Sequence, residues 1–173
     1  MGEVVPAGEL AALGERLRAA GKRVVLTNGH FDLLHVGHLR SLRSARALGD
    51  VLVVAINDDA TTRARKGPTR PLVPQAERAE LVAALACVDY VAIFGDPTAE
   101  RVVAALRPDV YVKGGDYAAT AEDEAAGRAP LPEAAIVRAY GGAVVTIPLL
   151  PGHSTTTIER AIRDAACAAS APP

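Results

Sequence analysis

The sequence predicts a single α/β domain built on a doubly wound, five-stranded parallel sheet. Three observations carry that reading. Apolar runs alternate with helical patterns from residue 7 to residue 166. One run, Val51 to Ile56, is apolar at every position, as a strand buried on both faces must be. The polar and glycine-containing segments fall just after the strands, at the carboxyl edge where such sheets bind ligands.

Taken in order, Ala7 to Ala20 carries Leu10, Leu13 and Leu17 at helical spacing, and Gly21 stops the helix. Val24 to Thr27 is the first strand, and a helix from about Leu39 to Leu48 follows it. Val51 to Ile56 is the second strand. Thr61 to Pro74 carries Arg63, Arg65, Lys66 and Arg70 among three prolines, and reads as an ordered basic loop. Gln75 to Leu85 is a helix, Val88 to Phe94 the third strand, and Pro97 to Leu106 a helix opened by its proline. Asp109 to Val112 is the fourth strand. Ala118 to Pro132, rich in Ala, Glu, Gly and Pro, is the segment expected to be mobile. Glu133 to Tyr140 is a short helix stopped by Gly141-Gly142, and Ala143 to Ile147 is the fifth strand. A last helix follows Ser154 and runs to about Ala166, leaving a frayed tail.

Composition narrows the function. With 173 residues, half of them hydrophobic, the chain has material for a real core. A formal net charge of -1 gives no electrostatic footprint for nucleic acid or an anionic membrane. Aromatics at 3% with no Trp argue against a base-stacking platform. Cys87 and Cys167 stand far apart, which fits a reducing cytoplasm better than a disulfide or zinc framework. The start lacks a signal-peptide pattern, and no apolar run reaches the roughly 18 residues a membrane span needs.

The strand ends collect the chemistry. Thr27-Asn28-Gly29-His30-Phe31-Asp32-Leu33-Leu34-His35-Val36-Gly37-His38 joins the first strand to its helix. The second strand ends in Asn57 and Asp59, with Lys66 beyond; the fourth in Lys113-Gly114-Gly115-Asp116; the fifth leads to Ser154-Thr155-Thr156. Most of these groups donate hydrogen bonds, and helix N-termini add backbone N–H groups, so the edge suits a large anion such as a nucleoside triphosphate. His35 and His38 lie on one face of a first helical turn, and Gly37 lets a ligand approach the backbone. A metal site at that spacing needs a third ligand, and Ser154-Thr155-Thr156 alone is a helix cap. The Walker loop, the dinucleotide fingerprint and the nucleophile elbow are all absent.

The turn matches G-x-F-D-x-x-H-x-G-H at Gly29 to His38, and Ser154-Thr155-Thr156 matches an S-T-T phosphate segment. On these two marks the chain resembles the cytidylyltransferase-like nucleotidyltransferase superfamily, over roughly residues 22–165. Within it, Thr27-Asn28-Gly29, Ala55 to Asp59, Lys66-Gly67 with Arg70-Pro71, Arg78 and Val112 to Tyr117 resemble the ADP-heptose synthase type, a D-glycero-β-D-manno-heptose 1-phosphate adenylyltransferase. That type often carries a fused sugar kinase, so this chain is expected to be stand-alone. Three features depart from the pattern. His30 stands where the turn often has Cys, Leu150 to His153 replaces the R-T-x-G run of glycerol 3-phosphate cytidylyltransferases, and Ala118 to Glu133 is longer than the usual connection.

The resemblance implies a Rossmann-like fold, with residues 1–21 as an N-terminal helix, 22–166 as the nucleotidyltransferase domain and 167–173 as the tail. It implies transfer of AMP from ATP to a sugar 1-phosphate, with magnesium accompanying ATP and no dedicated protein metal ligands. His35, His38, Lys66 and Thr155 are the expected catalytic residues. Thr27, Asn28, Gly29, Phe31, Gly37, His38, Lys113, Gly114, Ser154, Thr155 and Thr156 would hold the nucleotide. Asp32, Asn57, Asp59, Lys66, Arg78 and Asp116 would hold the acceptor, with Lys113 toward the same side. A cytoplasmic homodimer is the family-level expectation. Cytidylyl transfer to a polyol phosphate such as glycerol 3-phosphate, adenylyl transfer to FMN, and a nucleotide-binding module without turnover are the alternatives.

Overall fold

The computed structural model describes residues 1–118 and 120–169. In chain order the elements are β1 (Glu3–Val5), a 3-10 turn (Ala7–Glu9), α1 (Leu10–Ala19), β2 (Val24–Gly29), α2 (Val36–Arg46), β3 (Val51–Asn57), α3 (Asp59–Lys66), α4 (Gln75–Ala83), β4 (Tyr90–Phe94), α5 (Glu100–Leu106), β5 (Val110–Gly114), α6 (Ala121–Ala125), α7 (Glu133–Ala139), β6 (Ala143–Ile147) and α8 (Thr155–Ala169). The strands form one parallel sheet in the order β1-β4-β3-β2-β5-β6.

The sheet has six strands, not the five expected from sequence. The extra one is β1, whose Glu3, Val4 and Val5 pair with Tyr90, Val91 and Ala92 of β4. Only Val4 and Val5 are apolar there and Pro6 follows, so no local pattern marks a strand. The edge of β4 imposes it.

β3 is buried along its whole length, as its unbroken apolar run requires. One core layer packs α1, α5 and α7 on the sheet through Leu13, Leu17, Val103, Leu106, Ala134 and Val137. The other packs α2 and α4 through Leu42, Ala45, Ala79 and Val82. Each Leu or Val side chain so buried contributes about 1.5–3 kcal/mol. Arg78 sits fully buried in α4, a point taken up with the site.

The basic stretch begins as a helix rather than a loop. Asp58 caps α3 by accepting the Thr61 N–H at 2.7 Å, and the helix then runs to Lys66 before Gly67 and Pro68 end it. Between β5 and α7, Tyr117 bridges to Ala129 around the short α6. The last helix continues to Ala169, and the rest of the expected tail, residues 170–173, lies outside the described residues.

Strand order reverses between β2 and β5. From β2 the chain steps outward to β3 and β4, then returns to β5 and β6 on the other side. Helices after the two strands leave on different courses, and a crevice opens at their carboxyl ends. Gly29 and Gly114 end those strands.

Candidate active site

A cleft of about 440 Å³ opens at that crevice. It is lined by Thr27, Asn28, Gly29, Phe31, His35, Gly37, His38, Asn57, Lys66, Lys113, Gly114, Asp116, Ser154, Thr155 and Thr156 among others. Most of the residues singled out from sequence therefore meet in one place. Asp32, Asp59 and Arg78 do not line it.

The floor is made by β2 and β5. Thr27 donates its hydroxyl to the Val112 carbonyl at 3.0 Å, locking the two strands together. Asn28 Oδ1 accepts from the Tyr111 hydroxyl at 2.7 Å and from Lys113 Nζ at 3.0 Å. Burial, and then the Glu133 carboxylate, push the Tyr111 hydroxyl's pKa upward, so it stays a donor. Burial pushes the Lys113 ammonium down to about 8. It remains a cation at neutral pH, with its Nζ 4.6 Å from the centre of the Tyr117 ring.

The turn after β2 is bent sharply. Phe31 takes a left-handed backbone with φ 49°, and its ring packs over Gly29. A Cβ on Gly29 would sit 3.1 Å from that ring. The ring also tilts against His38 at a centroid distance of 5.2 Å. His30 Nδ1 lies 3.0 Å from the Thr62 hydroxyl. Burial lowers the His30 pKa to about 4, assisted by the charges of Lys66, Arg65, Arg78 and Lys113.

His35 and His38 stack, with ring centroids 3.8 Å apart and planes 25° from parallel. The His38 backbone N–H points to His35 Nδ1 at 3.4 Å. As the acceptor, that nitrogen carries no proton, which places the proton on Nε2. Burial lowers the His38 pKa to about 4, and the neighbouring His35 adds to the effect. His35 is lowered as well, by burial and then by His153. Both rings are therefore neutral donors at pH 7. His38 Nδ1 is the one buried side-chain polar atom without a partner among the described residues. Gly37 is dictated by this pair, since a Cβ there would meet His35 Nδ1 at 2.8 Å.

Facing the rings is the start of α8. Ser154 Oγ accepts the Thr157 N–H at 3.1 Å, capping the helix. The N–H groups of Thr155 and Thr156 head the helix and have no partner within it. Stacked donors, a helix N-terminus, Lys66 and Lys113 make a strongly anion-favouring wall.

The three residues outside the cleft hold it in shape. Asp32 is buried and accepts the backbone N–H groups of Leu72 at 2.7 Å and Val73 at 3.0 Å. It also pairs with Arg70, which reaches Glu159 of α8. Arg78 donates to the carbonyls of Val73 at 2.9 Å and Asn57 at 2.9 Å, to that of His30, and to Asp59 Oδ1 at 2.7 Å. It is a brace whose hydrogen bonds go to protein oxygens, and Asp59 is its counter-ion.

Sequence reasoning missed Arg65, Thr98, Tyr117 and Glu133 as cleft residues. Arg65 was legible as part of the basic stretch. Glu133 was not, because an acid in a first helical turn is an ordinary choice. Among the described residues, no three His, Cys, Asp or Glu side chains gather into a group able to hold a metal. No described helix is long and apolar enough to cross a membrane.

An open parallel sheet with a phosphate-type cradle at its switch point defines a nucleotide-binding α/β protein. Residues 26–161 match the cytidylyltransferase-like family, and the chain belongs to that family. It is a nucleotidyltransferase of that kind. It is 48% identical over 151 residues to the bifunctional protein HldE of Syntrophotalea carbinolica, covering 85% of this chain and 28% of that protein. It is 49% identical over 147 residues to the bifunctional protein HldE of Streptomyces coelicolor, covering 85% and 30%. The chain thus spans under a third of the curated relatives it matches. It is also similar to the crystal structure of the lipopolysaccharide core biosynthesis protein from Thermoplasma volcanium. That match has a TM-score of 0.56 and 28% identity, over 75% of this chain and 98% of the other.

Proposed function

We propose that the protein transfers AMP from ATP to D-glycero-β-D-manno-heptose 1-phosphate and releases pyrophosphate. The observation that carries the reading is the stacked His35–His38 pair facing the N-terminus of α8 across one cleft. An acceptor phosphate oxygen attacks the α-phosphorus. The new P–O bond forms as the bond to the β-phosphate oxygen breaks, and pyrophosphate leaves with that electron pair. The attacking phosphate is already an anion, so no general base is needed. Catalysis lies in positioning and in donors aimed at developing charge.

In this reading His35 and His38 donate to the α- and β-phosphates, and Lys66 to the transferring group. Ser154, Thr155 and Thr156 hold the β- and γ-phosphates. Asn28, Gly29 and Phe31 line the nucleotide site with Lys113 and Gly114, while Asn57 and Asp116 face the acceptor. Asp116 and Glu133 line the cleft, but among the described residues no three His, Cys, Asp or Glu side chains gather into a metal-holding group. In this reading magnesium would come with the triphosphate rather than sit in a dedicated protein site, and it would supply neutralisation of the triphosphate charge. The sequence likeness to HldE proteins supports the choice of acceptor. We place the reaction in the cytoplasm, where ATP is made, and in a homodimer, for which the exposed α8 offers a surface.

The test is pyrophosphate release with magnesium, crossing ATP and CTP against heptose 1-phosphate, glycerol 3-phosphate and FMN. Release with ATP and heptose 1-phosphate alone supports the reading. Release with another pair replaces the substrate, and triphosphate binding with no release under any pair overturns transfer.

A further inference from the structure

One group in the cleft runs against its surroundings. Glu133 is one of two carboxylates in a site built mostly of donors, the other being Asp116, and it is only 4% exposed. Its Oε1 accepts the Ala99 N–H at 2.7 Å. Its second oxygen, Oε2, accepts no hydrogen bond from a described residue, while the carboxylate's charge is felt by Tyr111 and Lys113 on β5. Oε2 is not sealed in, since it is not among the buried atoms left without a partner, so it opens to the cleft and is free to accept from a ligand.

Its position says what kind of ligand. The histidine pair stands on α2, against one face of the sheet, while Ala99 belongs to the layer of α1, α5 and α7 on the other face. Glu133 opens α7, so it stands across the cleft edge from the phosphate cradle. Pro132 precedes it in the chain, and Pro97, two residues before the Ala99 that it holds, lines the same cleft with apolar surface. Phosphate oxygens are repelled by a carboxylate and hydroxyl groups are not. A carboxylate beside apolar surface fits a polyhydroxy carbon chain, which offers O–H donors and C–H faces together.

We propose that Glu133 and these two prolines form a subsite for the sugar part of the acceptor, with Oε2 accepting a hydrogen bond from one sugar hydroxyl. The inference rests on the sugar-phosphate reading above and deepens it. Glu133 is then a specificity residue: it selects acceptors that carry a hydroxyl at the matching place, and it plays no part in the phosphoryl step.

Glu133→Gln tests this. Gln keeps a carbonyl oxygen for the Ala99 N–H and puts an amide, which cannot accept, where Oε2 stood. The expected result is a KM for heptose 1-phosphate raised about tenfold or more, the scale of a lost hydrogen bond to a charged group. The KM for ATP and the melting temperature should stay as in the wild type. Singly deoxygenated heptose 1-phosphates give a second readout on the unaltered protein. One of them should lose about tenfold in kcat/KM, and that loss should vanish in E133Q. An unchanged acceptor KM in E133Q, or no deoxy compound that suffers, would overturn the subsite alone. A rise in the ATP KM instead would give Glu133 to the nucleoside and overturn it too. A wild type that turns over no sugar phosphate removes the functional reading and this inference together.

Discussion

At the scale of the residue, the histidine pair shows why burial matters more than identity. An exposed imidazole titrates near pH 6.5. Here burial lowers His38 and His30 to about 4, so both enter neutral. A neutral ring offers one N–H, and the contact from the His38 N–H to His35 Nδ1 decides which nitrogen of His35 carries it. An arriving triphosphate then favours the charged form, because its negative charge opposes the effect of burial. His38→Ala should cut turnover by about 100-fold or more, the scale of one lost charge-stabilising donor, in a protein that remains folded by circular dichroism. The same burial gives a pH signature. The unfolded chain binds protons on these rings below about 6.5 and the folded chain only near 4. Their contribution to stability is complete above about pH 6.5 and is lost as pH falls toward 4. His38→Asn should therefore lose less in melting temperature between pH 7 and pH 5 than the wild type does, and ATP should shrink the wild-type loss. Equal losses in the two proteins would show that His38 is not the group titrating.

At the scale of the element, charge alone does not tell a binding residue from a brace. Lys66 ends α3 and lines the cleft, whereas Arg78 lies inside α4 under it. In sequence either could be a solvated surface charge, Lys66 within a basic stretch and Arg78 within a helix. Arg78 joins the ends of β2 and β3 to the start of α4 by bonding His30, Asn57 and Val73. Arg78→Met strands those carbonyls and Asp59, and should cost about 3–5 kcal/mol in urea denaturation. Lys66→Ala should stay within about 0.5 kcal/mol of wild-type stability while turnover falls about tenfold or more. The reverse pattern would exchange the two roles. The site motifs were legible because strand-end turns are local: Gly29, Gly37 and Ser154 declare themselves by type and spacing. Asp32 shows where legibility stops. Its place in the turn suggests the acceptor side, yet its oxygens are taken by Arg70, Leu72 and Val73, about forty residues on. Such pairings are made by the fold and leave no periodic trace. The reading of Thr61 to Pro74 as loop failed for a smaller reason, since its prolines outweighed the Asp58 cap that starts α3.

At the scale of the whole molecule, the alternation of elements gave the class of fold, and burial of β3 gave its centre. The edge strand β1 stayed invisible because three residues pair only where β4 offers an edge. The opposite end of the chain poses the matter of assembly. α8 begins in the phosphate cradle, yet Ile162 is 61% exposed, and Arg160, Arg163 and Asp164 are exposed around it. A second α8 laid antiparallel about a twofold axis through Ile162 buries that side chain against its own copy. The same symmetry sets Ile158 of one chain against Ala166 of the other, twice over, because residues four apart share a helix face. This is the homodimer we propose, and it would steady the helix whose first turn meets the triphosphate. Sedimentation should show a dimer in the wild type and a monomer in Ile162→Asp. Ala166→Asp should weaken the dimer as well, whereas Arg160→Asp, on the far face of the helix, should leave it intact. Turnover should follow the dimer through that series if α8 needs its partner to hold phosphate. A monomeric wild type, or a dimer that Arg160→Asp breaks and Ile162→Asp does not, would place any contact between copies on another face and leave the cradle complete within one chain.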